Sequence, residues 1–260
     1  MTDTHEVPVT VLPPRTNPAP AVVTWHMLDA PRSNEAFAAA LPMNGLNAWR
    51  IHLGLPGCGA RMGPNGMADL MERGKDDAVL SFLGPLIHQA ADEFSVVFAR
   101  LKDEFPIADA PIGLLGGSAG GLVALEVLAR HEVPVAATAL VNPAVRARTV
   151  VGLSEPDIGP YHWTEEADRA ADALDFLARA EELARPILVV SGDEDYPRLR
   201  EEASALVEAV DGRLETVAGL AHPLADQPGI EPAPQLPVAK AVDDILTAWF
   251  GARLSTVERE

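Results

Sequence analysis

The sequence predicts an α/β protein with a mostly parallel central sheet that is flanked by helices and carries a small helical insertion. Three observations lead to this fold class. Short apolar runs rich in β-formers alternate with longer runs of helical periodicity, an order typical of parallel strands joined by right-handed crossovers. The strand-like runs are continuously apolar, as expected for a sheet covered on both faces. One interval, between Pro143 and Pro186, interrupts the alternation.

The chain begins this alternation near residue 21. The apolar run Ala21–Leu28 predicts a buried strand. The next run, Ser33–Leu41, predicts a helix, since Ser33 or Asn34 can serve as its N-cap. A second strand is predicted at Leu46–Leu55.

The glycine-rich run Gly57–Gly66 predicts a loop. Residues 78–105 carry apolar side chains at helical spacing and predict a long helix, with a break near Gly84 and Pro85. The remaining strands and helices repeat the same alternation. The strands are predicted at Ile112–Gly117, Val135–Pro143, Pro186–Asp195 and Arg213–Gly219, and the helices at Gly121–Arg130, Leu199–Val210 and Val238–Phe250.

The interruption is interpreted as an insertion, residues 144–184, within a single domain that spans residues 1–260. We expect it to act as a lid or cap over the sheet. Its Tyr161, His162 and Trp163 are candidates for lining an acyl or alcohol pocket. The alternative is a pair of amphipathic helices that simply packs on the sheet.

A single serine lies in a glycine-rich turn between a predicted strand and a predicted helix. The pattern Gly116-Gly117-Ser118-Ala119-Gly120 matches G-x-S-x-G, in which small residues permit a sharp strand-to-helix turn that exposes the hydroxyl group. The same turn directs the following helix N-terminus, and the N–H of Ala119, at the position where an oxyanion would form. Ser118 is therefore the candidate nucleophile, and a structural glycine turn is the alternative.

A serine hydroxyl needs a base, and the base needs an orienting acid. Of the seven histidines, His222 follows the last predicted strand on a loop, which suits a base. The acid is expected after the preceding strand, where Asp193, Glu194 and Asp195 are all candidates.

The candidate serine, acid and histidine follow one another in this order along the chain. In this respect the sequence resembles an α/β-hydrolase of the serine esterase type, since that superfamily places serine, acid and histidine in succession. The resemblance extends from Ala21 to the C-terminal helix and implies that fold. Its G-x-x-D pattern, met here by Gly192 to Asp195, implies Asp195 as the acid. Its loop before the histidine is matched by Gly219-Leu220-Ala221-His222.

The sequence departs from the family pattern in the first oxyanion loop. Where the family often has His-Gly, this chain has His26-Met27-Leu28, so the second oxyanion N–H is expected from Met27 or Leu28, with Leu28 favoured. The usual aspartate before the loop at Gly57 is also absent. Because the segment before Ala21 is short, we expect the family's first antiparallel strands to be reduced to one hairpin.

These residues predict a serine hydrolase that cleaves a carboxylic ester of a small molecule through an acyl-enzyme. A peptidase, thioesterase or acyltransferase of the same superfamily is the alternative, because the serine turn does not distinguish these substrates. A non-catalytic scaffold that binds a ligand is a further alternative. No cofactor or metal is implied.

Composition limits the partners and the location. The formal net charge of −18 disfavours nucleic acid and anionic membrane surfaces, which require a basic face. The single cysteine, Cys58, excludes an intramolecular disulfide and cysteine-based metal clusters. No secretory signal or membrane-spanning run is present, so a cytoplasmic protein is expected. The oligomeric state is left open.

Overall fold

A computed structural model describes residues 7–183 and 186–254 of the 260-residue chain. It contains a seven-stranded sheet in the order β1-β3-β2-β4-β5-β6-β7, in which β1 pairs antiparallel with β3 and every other pair is parallel. The strands are β1 (Val9–Leu12), β2 (Ala21–Trp25), β3 (Trp49–Leu53), β4 (Ile112–Gly117), β5 (Val135–Val141), β6 (Ile187–Gly192) and β7 (Arg213–Val217).

Eight α-helices lie in the described parts of the chain. They are α1 (Asn34–Ala40), α2 (Met67–Asp76), α3 (Gly84–Glu104), α4 (Ala119–Arg130), α5 (Ala147–Ile158), α6 (Glu165–Asp172), α7 (Pro197–Ala209) and α8 (Pro237–Gly251). A π-helical turn, Ala78–Leu83, leads into α3 and accounts for the predicted break near Gly84. Of the helices in these ranges, none is long and apolar enough to cross a membrane.

The sheet is covered on both faces, which explains the continuously apolar strands. On one face, Phe37 of α1 and Phe250 of α8 pack against strand residues such as Val22. On the other face, Phe94 of α3 packs edge-on against Trp25, with ring centroids 5.7 Å apart. Because β2 and β4 to β7 run parallel, their carboxyl ends meet at one edge of the sheet, where the loops described below converge.

The structure corrects one expectation about local structure and adds two features that were not predicted. Residues 7–20 form one strand, β1, and no hairpin; β1 pairs with β3 instead, and Pro13 and Pro14, which follow Leu12 directly, cannot donate to a return strand. The helix α2 was not predicted from the sequence, and only Leu70 and Gly74 of its residues are buried. The predicted loop Gly57–Gly66 contains a short 3₁₀ turn.

The predicted insertion contains α5, α6 and a 3₁₀ turn, Ala180–Leu183, and its last residue, Ala184, lies outside the described ranges. The segment is joined to the rest of the domain by specific contacts. The Tyr161 hydroxyl donates to Asp77 Oδ1 at 2.6 Å. The role of residues 144–184 as a lid stays a prediction.

A histidine is buried within the sheet itself. His52 of β3 is fully buried, and its Nδ1 lies 2.8 Å from Thr24 Oγ1 on β2. Its Nε2 has no hydrogen-bond partner among the described residues. Burial, reinforced by the charge of Arg50, lowers the pKa of His52 to about 3.

This lowered pKa predicts a loss of stability in mild acid. The unfolded chain takes up a proton near the ordinary histidine pKa of about 6.5, whereas native His52 does not, so its contribution to stability is complete above that pH. It is lost as the pH falls from 6.5 towards 3, by at most about 1.4 kcal/mol per pH unit. Urea unfolding at pH 6 and pH 5 measures this slope. His52→Asn should have a shallower slope than the parent, and equal slopes in the two proteins would show that His52 does not titrate as described.

Candidate active site

Ser118 lies on the turn between β4 and α4, as the glycine pattern predicts. Its φ is +48°, in the left-handed region that a side chain rarely adopts. A Cβ added at Gly116 would collide with the carbonyl oxygen of Gly120, and one added at Gly120 would collide with that of Trp25. The glycines therefore allow the backbone of α4 to approach β2 and β4 closely while the serine hydroxyl stands at the carboxyl edge of the sheet.

The structure brings together the serine, histidine and aspartate that the sequence singled out. Ser118 Oγ lies 2.9 Å from His222 Nε2, and His222 Nδ1 lies 2.7 Å from Asp195 Oδ1. A carboxylate only accepts hydrogen bonds, so Nδ1–H donates to Asp195 and Nε2 accepts from the serine hydroxyl. All three residues are buried. The arrangement is suited to removing the hydroxyl proton through His222.

The neighbouring carboxylates have different positions. Asp193 is exposed and accepts a hydrogen bond from the N–H of Gly219 at 2.7 Å, so it ties the acid loop to the loop that carries His222. Glu194 is exposed, and its N–H donates to the carbonyl of Leu220. Of the three candidates that follow β6, Asp195 is the one that contacts the histidine.

A further residue of the site was missed by the sequence analysis. Asn142 follows β5 directly, is fully buried and has a φ of +43°. Its Nδ2 donates to the carbonyls of Ala221 and His222 at 2.8 and 3.1 Å, and its Oδ1 accepts from the N–H of Gly192 at 2.7 Å. One side chain thus joins the histidine loop to the end of the acid strand. The sequence feature that could have indicated Asn142 is a single amide side chain directly after an apolar strand.

The two candidate oxyanion donors lie in the same cleft as the serine. Leu28 and Ala119 both line the cleft that contains Ser118 and His222. Neither of their N–H groups donates to an acceptor within the described part of the chain. Met27, the other candidate, has a fully buried side chain that packs close to Gly117. The role of the Leu28 N–H as the second oxyanion donor stays a prediction.

His26 holds the loop that carries Leu28. Its ring is buried, Nδ1 donates to the carbonyl of Met27 at 2.7 Å, and Nε2 accepts from the N–H of Leu55 at 3.0 Å. Burial lowers the pKa of His26 to about 4, so the ring is neutral at pH 7 and can donate and accept at the same time. This explains a histidine in a loop that lacks the family's glycines.

Substitutions at Leu28 test the oxyanion assignment. Leu28→Ala keeps the N–H and is expected to change kcat little, whereas Leu28→Pro removes the donor and is expected to lower kcat by about 100-fold or more. Steady-state kinetics with an activated ester measures both, and circular dichroism must show that the proline variant is folded. Near-native kcat in a folded Leu28→Pro protein would exclude a role for this N–H.

The cleft around Ser118 measures roughly 750 Å³ out to open solvent. Helix α5 forms much of its wall, through Val150 and Leu153, and α7 adds Leu199. Tyr196 stands half-exposed beside His222, with ring centroids 5.1 Å apart. The predicted pocket residues Tyr161 and Trp163 do not line this cleft; they pack against each other, and Arg148 lies 4.4 Å over the Trp163 ring. His162 is exposed.

Two further observations concern the single cysteine and possible metal ligands. Cys58 is buried, and burial raises the pKa of its thiol to about 12, so the nucleophilic thiolate is scarce at neutral pH. Within residues 7–183 and 186–254, no group of three or more histidine, cysteine, aspartate or glutamate side chains is placed to hold a metal ion.

Comparison with known proteins extends these observations. The sequence profile of the prolyl oligopeptidase family matches residues 88–223, just over half of the chain, a range that contains Ser118, Asp195 and His222. The comparison with curated protein sequences gives no significant match.

Several solved structures have a similar fold. A puromycin-hydrolysing peptidase of Mycobacterium tuberculosis is 17% identical with a TM-score of 0.66, covering 98% of this chain, which spans only 38% of that longer chain. The protein Est1E of Butyrivibrio proteoclasticus, solved with ferulic acid bound, is 14% identical with a TM-score of 0.64, and the match covers 96% of both chains. A monoacylglycerol lipase of Paleococcus ferrophilus is 13% identical with a TM-score of 0.61, covering 95% of this chain and 99% of its own. At these identities the likeness shows the fold, which confirms the predicted helix-flanked, mostly parallel sheet of an α/β-hydrolase.

Proposed function

The chain belongs to the prolyl oligopeptidase family of α/β-hydrolases and is a serine hydrolase, and from this premise we propose that it cleaves carboxylic esters of small molecules through an acyl-enzyme. One observation carries the proposal. The hydrogen bonds run unbroken from Ser118 through His222 to Asp195, at a cleft that Leu28 and Ala119 also line.

The first half of the proposed reaction forms the acyl-enzyme. Ser118 Oγ attacks the ester carbonyl carbon while its proton passes to His222 Nε2. Asp195 accepts from Nδ1–H throughout and stabilises the positive imidazolium. The N–H groups of Leu28 and Ala119 stabilise the negative carbonyl oxygen, and the dipole of α4 favours the same charge. When the intermediate collapses, His222 returns the proton to the leaving alcohol.

The second half restores the enzyme. A water molecule takes the place of the alcohol beside His222 Nε2. His222 Nε2 removes a proton from this water as the water oxygen attacks the acyl carbon. Collapse of this second intermediate breaks the bond to Ser118 Oγ, and His222 returns the proton to the serine. The products of this half-reaction are a carboxylic acid and the enzyme with its Ser118 hydroxyl restored.

The lining of the cleft supports an ester over a peptide. A bound peptide must find partners for its own N–H and C=O groups, since an unpaired buried polar group costs about 1–3 kcal/mol. About half of the cleft wall is apolar, and two of its charged side chains, Asp29 and Arg32, bond to each other at 3.2 Å. The formal net charge of −18 also favours a neutral small molecule over nucleic acid or an anionic membrane surface.

A peptidase is the second candidate function. It is favoured by the family match and by the similarity to the puromycin-hydrolysing peptidase. In a peptidase the same three residues would act on an amide, whose poorer leaving group demands proton transfer from His222 at an early stage.

Kinetic comparison of the two substrate classes tests the proposal. The purified protein is assayed with p-nitrophenyl esters and, in parallel, with aminoacyl p-nitroanilides that release the same chromophore. The kcat/KM for the ester is divided by that for the anilide, and the same ratio is taken for the uncatalysed rates. An enzymatic ratio larger than the uncatalysed ratio supports an esterase. Preferential turnover of the anilides would replace the proposal with the peptidase, and turnover of neither would reject both.

A further inference from the structure

A second cavity lies behind the catalytic cleft. This rear pocket is bounded by α2, the π-helical turn Ala78–Leu83 and α5, and has a cavity volume of about 80 Å³. That volume is smaller than the roughly 300–1,000 Å³ of pockets that hold a whole ligand, and it suits one narrow substituent. Its wall is formed mainly by apolar side chains, namely Leu70, Met71, Phe82, Leu83, Val151 and Ile158.

The rear pocket and the catalytic cleft share one wall. Val150, Ser154 and Asp157 line both cavities. Their spacing of four and three residues places them along one face of α5, so this face forms the ridge between the two spaces. A substituent that extends from the carbonyl at Ser118 past this ridge would enter the rear pocket.

An apolar group can cross the ridge without burying a polar group that lacks a hydrogen-bond partner. The Ser154 hydroxyl donates to the carbonyl of Val150 at 2.8 Å, on its own helix, and so its hydrogen is already used. Asp157, at the end of the ridge, is exposed and can keep its carboxylate in solvent. An apolar chain that crosses at Val150 and Ser154 would therefore leave no buried polar group without a partner.

The position of His222 indicates which part of an ester would enter. The leaving alcohol receives its proton from His222 Nε2 and must stay on that side of the cleft, beside Tyr196. The rear pocket is lined by neither of these residues, nor by any residue of the loops that follow β6 and β7. The acyl group is the part of the substrate directed towards α5.

We propose that the rear pocket is the acyl subsite, and that it selects esters with an unbranched apolar acyl chain of medium length. The inference rests on the proposed function, because it requires an acyl carbonyl at Ser118. Burial of such a chain in an apolar cavity is favourable by about 0.8 kcal/mol per methylene group.

A glycine in α2 keeps the rear pocket open. Gly74 is buried, and a Cβ placed there would meet Ile158 Cγ2 at 3.6 Å and Phe82 Cδ1 at 3.9 Å, which are ordinary contacts. A side chain is therefore accepted by the helix at this position, but a long one would occupy the cavity. Because glycine is a poor helix former, the substitution is not expected to weaken α2.

The test compares Gly74→Leu with Gly152→Leu. Gly152 is exposed on α5, and a Cβ there meets nothing within 4 Å, so it controls for the same change at a helical glycine outside the pocket. The measured quantity is kcat/KM for p-nitrophenyl octanoate divided by that for p-nitrophenyl acetate. We expect this ratio to exceed one in the parent, to fall by about tenfold or more in Gly74→Leu, and to be unchanged in Gly152→Leu.

A second variant and a binding measurement complete the test. Ile158→Phe narrows the pocket from the α5 side and should lower the ratio in the same direction, which covers the case that Gly74→Leu fails to fold. Calorimetry with octanamide, an inert acyl analogue, is performed on the Ser118→Ala protein with and without Gly74→Leu. Binding should be lost when Gly74 is replaced.

The outcomes separate the two proposals. If no ester is hydrolysed but octanamide binding depends on Gly74, the pocket assignment stands and the esterase function is rejected. If esters are hydrolysed but the octanoate-to-acetate ratio is the same in the parent and both pocket variants, the acyl subsite is rejected. Octanamide binding that is indifferent to Gly74 leads to the same rejection.

Discussion

Ser118→Ala is expected to lower kcat for activated esters by roughly six orders of magnitude while the protein stays folded. Without the hydroxyl no acyl-enzyme can form, and His222 retains no nucleophile to activate. The turn itself should survive, because Ser118 is held by its backbone: its N–H donates to the carbonyl of Val141 at 3.0 Å, and its carbonyl accepts from Gly121 and Ala144. Alanine at a φ of +48° is about as strained as serine.

The measurement is steady-state kinetics with p-nitrophenyl acetate, accompanied by a thermal unfolding curve. Ser95→Ala, at a partly buried position of α3 where the hydroxyl donates to Glu132, is the matched control and should keep the parent kcat. A folded Ser118→Ala protein that retains more than about a hundredth of the parent activity would show that another group performs the nucleophilic attack.

Asp195→Asn is expected to produce the second largest loss. Asparagine keeps the size of the side chain, but its amide can donate to His222 Nδ1 and so favour the wrong tautomer, in which Nε2 carries the hydrogen. In another protein's triad this change lowers kcat by about 10,000-fold. We expect a loss of similar order here, because Asp195 Oδ1 lies 2.7 Å from His222 Nδ1.

Asp193→Asn is the matched control two residues away. Asp193 accepts a hydrogen bond from the N–H of Gly219, and the amide oxygen of asparagine can do the same. Its kcat should therefore stay within about tenfold of the parent. The reverse ranking of the two variants in kcat would move the acid to Asp193, and two mild effects would indicate a carboxylate outside this loop.

The parallel strands and the serine turn could be predicted because their signals are local. An apolar run followed by Gly-Gly-Ser-Ala-Gly defines a strand, a sharp turn and a helix within a few residues. The predicted strands that end in the site were too long, however. The structure ends β2 at Trp25, β5 at Val141 and β6 at Gly192, so that His26, Asn142 and Asp195 lie on the loops that follow. Each predicted strand included residues that lie beyond the end of the observed strand, on the loop that forms the site.

The rest of the site depends on contacts that are distant along the chain. Asn142 contacts the carbonyls of Ala221 and His222 about 80 residues later, and no local pattern indicates such a pairing. Which of Asp193 and Asp195 contacts His222 likewise depends on where the loop that contains Gly219 lies. The resemblance to the α/β-hydrolases did favour Asp195. Tyr161, His162 and Trp163 were candidates for the pocket wall, but α5 supplies much of it, and the Tyr161 hydroxyl donates to Asp77.

The central claim is that Ser118 forms the covalent intermediate, and the most direct measurement is to label the protein with a fluorophosphonate and locate the adduct by peptide mass mapping. We predict one adduct per chain, on Ser118, lost in Ser118→Ala and formed at least tenfold more slowly in a His222→Ala protein, which lacks the base. An adduct on any other residue of the parent, or undiminished labelling of the Ser118→Ala protein, would contradict the account.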